Sequence, residues 1–371
     1  MEHVSPDLPP DRCPGLLRPH VAADGALVRL RAPGGRVPSG GLGRLSAASQ
    51  EFADGDVHLT SRGNLQIRGI SLDDCGNVPA GLTDAIVAAG FLPSPSHERV
   101  RNVVASPLSG LVGGVADIRP LIGALDTALC AEPALAELPG RFLFGLDDGR
   151  GDVAGLRCDL AAIADEASGA TGNDTGRTMR IVIGGLDGPT VPISQVIDTL
   201  IDLALRFLQT RGTLWHVRQL PGRGAELGGA GRVPALPSYA MPYGVLAGVV
   251  SALVPLGILS PSMASALPDD DVIVTPWRGL VLPSGADPAA LSDAGFVLSD
   301  DSAWPRVTAC TGSPGCSLAR GDTRALARRT VTSGTTADRL HIVGCERACG
   351  APNSPHTLVF ASRSTSHRSS T

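Results

Sequence analysis

The chain has 371 residues, 36 acidic against 31 basic, with a formal net charge of −5, and every basic residue is arginine. The missing lysine excludes a P-loop nucleotide site, a pyridoxal-phosphate enzyme and a Schiff-base aldolase, each of which needs a lysine amine. With 43% hydrophobic, 18% charged and 3% aromatic residues, the chain should form two or three cored domains, and a nucleic-acid partner is not expected.

The start, MEHVSPDLPPDRCPGLLRPH, is acidic and proline-rich, with no basic stretch leading into an apolar run. It does not read as a signal peptide. A cytoplasmic protein is expected, whose eight cysteines serve metal or redox chemistry before disulfides.

The next signal is a repeat. DVHLT at 56–60 returns as DVIVT at 271–275, followed by SRGNLQIRG and PWRGLVLPS, both alternating like half-buried strands. GGLGRLSAASQEFA before the first copy and GVLAGVVSALVPLGIL before the second both read as helices, which predicts a duplicated α+β unit. The second lies in an uncharged stretch, 233–268, that carries six prolines. A buried helix is expected there, and no membrane span.

Between the copies come RVRNVVASPLSG (99–110), a helix-like ADIRPLIGALDTALC, and LPGRFLFGLDDGRGDV (138–153), a strand with a tight turn. A polar loop, EASGATGNDTG (166–176), and a linker, PGRGAELGGAGR (221–232), follow. The expected division is 1–75, first half domain; 76–230, first catalytic domain; 231–300, second half domain; and 301–371, a cysteine-bearing section.

That last section carries the strongest chemistry. Cys310 and Cys316 are spaced C-x5-C, and Cys345 and Cys349 are spaced C-x3-C, all on glycine-flanked turns. Four such thiolates suit a [4Fe–4S] cluster, since glycine lets backbone N–H groups approach the sulfurs. Zinc remains the rival, although structural zinc favours C-x2–4-C knuckles at both ends. Four cysteines that bind nothing are the third possibility.

C-T-G-x-P-G-C followed by G-C-x-x-x-C resembles the cluster signature of the sirohaem-type sulfite and nitrite reductases. TSRGNLQIRG is similar to the T-x-R-x-x-x-Q element of that family's ferredoxin-like half domain, and RNVVASPLSG to its R-N-V segment. One branch, the precorrin-3B synthases of aerobic cobalamin biosynthesis, resembles the chain more closely. Cys13-Pro14-Gly15-Leu16, the 101–110 segment, Leu138 to Gly149 and Gly321 to Ala327 all match its elements.

The resemblance implies an α+β fold with duplicated ferredoxin-like half domains plus α/β cluster-binding domains of the sulfite/nitrite reductase type. It implies an oxygen-dependent monooxygenase that hydroxylates precorrin-3A at C20, with a ring A acetate closing a lactone. Its cofactors would be a [4Fe–4S] cluster and a mononuclear non-haem iron; its partners dioxygen and an external donor such as a ferredoxin or an NADH-linked reductase. A sirohaem-dependent sulfite or nitrite reductase and a non-catalytic tetrapyrrole-binding relative are the alternative readings.

The implied site combines Cys310, Cys316, Cys345 and Cys349 as ligands with Arg62, Arg101, Arg141, Asn64 and Gln66 on the tetrapyrrole. Bidentate arginines are the natural partners of a carboxylate rim. Where sulfite-reducing relatives carry two lysines, this chain has Arg141 and Leu143, which removes a charge from the anion site. Ala348 and Ala351 replace a glycine and a histidine beside the last cysteine. No histidine pair shows the spacing of an iron site; His97, His58 and Asp147-Asp148 are the weak candidates.

Overall fold

A computed structural model describes residues 11, 13–165, 177–233, 241–334, 338–352 and 354–362. The loop expected at 166–176 lies outside the described residues.

The repeat is real and its two copies exchange strands. The first antiparallel sheet runs in the order His20–Ala22, Gly25–Leu30, Leu65–Ile70, Val57–Leu59, Ile258–Leu259. The second runs Gly244–Leu246, Val249–Leu253, Gly279–Pro283, Val272–Val274, Arg36–Val37. Each sheet is thus completed by a short edge strand from the other copy. Apolar residues from both halves, among them Val28, Leu65, Ile67, Val250, Leu280 and Leu282, form one continuous core. Helices Gly41–Phe52 and Ala80–Ala88 add Leu42, Leu45, Leu82 and Ile86 to it.

Two glycines make the exchange possible. A Cβ at Gly35 would meet the Val274 carbonyl, and one at Gly257 would lie 2.8 Å from the Leu59 carbonyl. Both adopt left-handed backbone, with φ of 73° and 70°.

The helix expected in GVLAGVVSALVPLGIL is overturned. This stretch forms strands Gly244–Leu246, Val249–Leu253 and Ile258–Leu259, and Leu246 pairs with Val249 across an Ala247-Gly248 turn. The left-handed Gly248, φ 83°, suits a two-residue hairpin, and Val249-Val250 favour the pleat. The helical counterpart of Gly41–Phe52 is the short Pro261–Ser265. No described helix is long and apolar enough to cross a membrane.

The central domain is a six-stranded mixed sheet ordered Ala230–Arg232, Leu186–Pro192, Thr178–Ile183, Leu160–Ala164, Phe144–Asp147, Val103–Ala105. Helices Arg119–Ala131 and Val196–Thr210 supply Ile122, Leu125, Leu129, Leu200, Leu203 and Phe207 to its core. The cysteine-bearing section is a small parallel sheet, Val307–Ala309, Leu340–Val343 and Thr357–Phe360, packed on helix Thr323–Thr332.

Candidate cluster-binding cleft

The cysteines leave the carboxyl ends of neighbouring parallel strands, the edge at which open α/β sheets place their ligands. Cys310 follows Val307–Ala309, while Cys345 and Cys349 follow Leu340–Val343. The Gly344 N–H donates to Cys310 Sγ at 3.3 Å. Thr323 Oγ1 donates to the Cys310 carbonyl at 2.7 Å, an approach that leaves no room for a Cβ at Gly312. His341 donates its Nε2–H to the Cys349 carbonyl at 3.2 Å and receives the Thr308 hydroxyl at Nδ1.

Burial pushes the Cys349 thiol up, and the Cys310, Cys345 and Cys316 sulfurs push it further. The four thiols thus lie within electrostatic reach of one another, and the Gly344 N–H on Cys310 Sγ suits a cluster-bound thiolate.

An open cleft of about 760 Å³, its mouth included, lies against Cys310 and Cys349. His58, Gln66, Arg68, Arg278 and Arg324 line it. Arg68 is held by Asp24 along its Nε–Nη2 edge, at 3.1 and 3.0 Å, and its Nη2 also donates to the Gly315 carbonyl at 3.2 Å. This ties the first cysteine loop to the first half domain.

Of the five residues expected from sequence to bind the tetrapyrrole, only Gln66 lines this cleft, its Oε1 accepting from Arg29 at 3.3 Å. Asn64 turns toward the central domain: its amide donates to Asn102 Oδ1 at 2.8 Å and its Oδ1 accepts the Ala32 N–H at 3.0 Å. Arg62 donates to the Arg141 carbonyl at 3.1 Å; burial lowers its pKa, and the Arg29 charge adds to that. Arg141 itself is exposed, its guanidinium 5.6 Å from the Trp215 ring centre.

Arg101 stands apart from the cleft. It is 3% exposed and grips Asp126 at 2.6 and 2.7 Å on helix Arg119–Ala131. Leu143 is also buried, packed with Val104 and Val153, and does not line the cleft, so the lost charge is not a change in this pocket's wall.

Sequence reasoning missed Arg31, which explains Cys13. Arg31 is 2% exposed and donates to Cys13 Sγ, Gly140 O, Arg99 O and Asn102 Oδ1 at 2.7 to 3.2 Å. Desolvation drags its pKa down to about 10. The alternation in VRLRA, with Arg29 and Arg31 on one face of a strand, was the signal available. Arg278 and Arg324 were visible only as members of the repeat and the GDTRALA stretch.

For a second iron the described residues offer two acidic groups, Asp54-Asp56-His58 and Asp147-Asp148-Asp152. His58 is bonded to Asp54 at 2.8 Å, and the charges of Arg324 and Arg328 stand beside Asp56. Asp147 accepts four backbone N–H groups, and Asp148 is forked by Arg150. Neither group offers the two histidines and one carboxylate typical of a non-haem iron site. His97 is a satisfied core histidine, bonded to Ser94, Ser96 and the Glu132 carbonyl.

Comparison with known proteins agrees with this architecture. Residues 20–85 match the family described as nitrite/sulfite reductase ferredoxin-like half domain. The chain is 26% identical to a Sinorhizobium precorrin-3B synthase, covering 94% of this chain and 80% of that protein. It is 34% identical to the ferredoxin–nitrite reductase of Synechococcus elongatus over 33% of this chain and 25% of that one. The structure of the Mycobacterium tuberculosis NirA protein superposes with a TM-score of 0.66 at 19% identity, covering 88% of this chain and 69% of that one.

Proposed function

We propose that this chain, which has a sulfite/nitrite reductase-type fold and resembles precorrin-3B synthase along nearly its whole length, is an iron–sulfur oxidoreductase that oxygenates a carboxylate-fringed tetrapyrrole in aerobic cobalamin biosynthesis. The observation that carries this reading is an arginine-lined cleft opening directly onto Cys310 and Cys349.

Cys310, Cys316, Cys345 and Cys349 would hold the [4Fe–4S] cluster, with the Gly344 N–H on the Cys310 sulfur. When bound, the cluster supplies electrons singly, which triplet dioxygen requires of its reductant. The protein's own part is binding and orientation. Arg68, Arg278 and Arg324 face the cleft as partners for rim carboxylates. Gln66, fixed by Arg29, offers a neutral amide to the ring. Asn64, Arg31 and Asn102 lock the half domain carrying Gln66 to the central domain.

The reaction in this reading is hydroxylation of precorrin-3A at C20, with a ring A acetate closing a lactone to give precorrin-3B. One oxygen atom enters the product and the other leaves as water. The two electrons this needs come from an external ferredoxin or NADH-linked reductase, and the two protons come from solvent. The described residues do not offer the two histidines and one carboxylate that a mononuclear iron would take.

Sirohaem-dependent nitrite or sulfite reduction is the second reading, favoured by the half-domain match at residues 20–85 and by the similarity to nitrite reductase over a third of the chain. An intrinsic sirohaem absorption band in the purified protein would establish it over the first. The direct test is incubation of cluster-loaded protein with precorrin-3A, dioxygen and a reductant, followed by mass spectrometry. Gain of oxygen supports the reading; an intact cluster with no gain overturns it in favour of a carrier.

A further inference from the structure

The two half domains make the same turn beside the cleft, but with different residues. Thr60 pairs its N–H with the Asn64 carbonyl at 2.9 Å, and Thr275 pairs with the Gly279 carbonyl at 2.8 Å. Each threonine hydroxyl accepts the N–H of its partner, at 3.2 and 3.1 Å. Positions 63 and 278 therefore correspond, and both are left-handed, φ 66° at Gly63 and 61° at Arg278. Glycine adopts that conformation freely, whereas any side chain there is strained against its own backbone. The second copy keeps a long cationic side chain at the place where the first has none, and such retained strain points to a use.

Arg278 is also the uncommitted arginine of the cleft. Arg68 is engaged by Asp24, and Arg324 lies beside Asp24, Asp54 and Asp56. Arg278 makes one long bond, 3.4 Å to the Gly350 carbonyl, and among the described residues it pairs with no carboxylate. Burial alone lowers its pKa, with no acid nearby to oppose it. Its path is kept clear by glycines on both sides. A Cβ at Gly257 would sit 2.8 Å from Arg278 Cδ, and one at Gly350 would sit 3.2 Å from Nη2. The stem is thus threaded between the exchanged strand and the loop of Cys349, with its charge at the cleft wall.

We infer that Arg278 is the specificity anchor of the cleft, clamping one carboxylate of the bound ligand next to Cys349. This rests on the tetrapyrrole reading above and adds which residue selects an acidic ligand. The two functions of the position separate cleanly. Backbone strain opposes folding, while the guanidinium serves binding.

The test is titration of the cluster-loaded protein with uroporphyrin III, a polycarboxylated porphyrin, followed by absorption, alongside thermal unfolding of each variant. Arg278→Gly copies Gly63 and should unfold at the same temperature as wild type or higher, yet bind about ten- to a hundredfold more weakly. Arg278→Asn, which tolerates left-handed backbone, should show the same loss and carries the test if the glycine variant does not fold. Wild-type affinity in both variants overturns the inference and leaves the tetrapyrrole reading standing. A wild type that takes up no porphyrin overturns both.

Discussion

Replacing Asn102 by alanine should markedly weaken the joint between the half domain and the central domain. Asn102 is fully buried. Its Oδ1 accepts from Arg31 at 3.2 Å and from Asn64 at 2.8 Å, and its amide donates to the Phe142 carbonyl at 3.0 Å. Alanine strands all three partners away from water. A hydrogen bond to a charged group contributes about 1.5–3 kcal/mol and each neutral one about 1 kcal/mol, so the loss should be about 3–5 kcal/mol. Asn64→Ala should cost about 2 kcal/mol, for its bonds to Ala32 and Asn102. Because the two share a bond, the double variant should fall short of the sum by about 1 kcal/mol. Denaturant unfolding of the four proteins reads this directly. An Asn102→Ala loss below about 1 kcal/mol, or strict additivity, would refute the view that this network locks the domains.

Four further variants have outcomes that follow from the geometry. Gly35→Ala should prevent folding or sharply lower the unfolding temperature, since its Cβ would meet the Val274 carbonyl. Gly55→Ala, at φ 91° with nothing within 4 Å, should cost only about 1–2 kcal/mol of backbone strain. Arg101→Gln should lower stability by about 2–4 kcal/mol by stranding Asp126, while iron and sulfide content per folded molecule stays at the wild-type value. Asp152 is pushed up to about 7 by burial first, and by Asp147 and Asp148 after it, against the Ser106 bond. Its folded form favours the proton, so its contribution is complete below about pH 4 and is lost as pH rises through about 7. Asp152→Asn should flatten stability across that window, and an unchanged pH profile would contradict the assignment.

The sequence showed the repeat, the strand at 56–60 and its twin, and the four cysteines, because each depends on local spacing or on like residues in like order. It misread 244–259 as a helix, because an apolar run without charges carries no period and the hairpin there is decided by Gly248 and by pairing with Gly279–Pro283. The exchange of edge strands between copies leaves no local trace at all. In the site, Gln66 of the T-x-R-x-x-x-Q element lines the cleft, whereas Arg101, named from the separate R-N-V segment, is paired by the fold with Asp126. Arg278 escaped notice because its signal is a comparison: an arginine in the second copy where the first has glycine. Arg31 escaped because nothing in a row of letters says that a charge will be buried, as Arg31 is, with no carboxylate partner among the described residues.

One single-turnover measurement bears most directly on the central claim, that four cysteines and an arginine-lined cleft make an oxygenating iron–sulfur enzyme. Cluster-loaded protein is mixed with one equivalent of precorrin-3A, an excess of reduced ferredoxin as one-electron donor, and isotopically labelled dioxygen in unlabelled water. The account predicts a product carrying one labelled oxygen atom, and none from Cys316→Ser protein that lacks its cluster. Product oxygen drawn from water, or labelled product from the cluster-free variant, would contradict it.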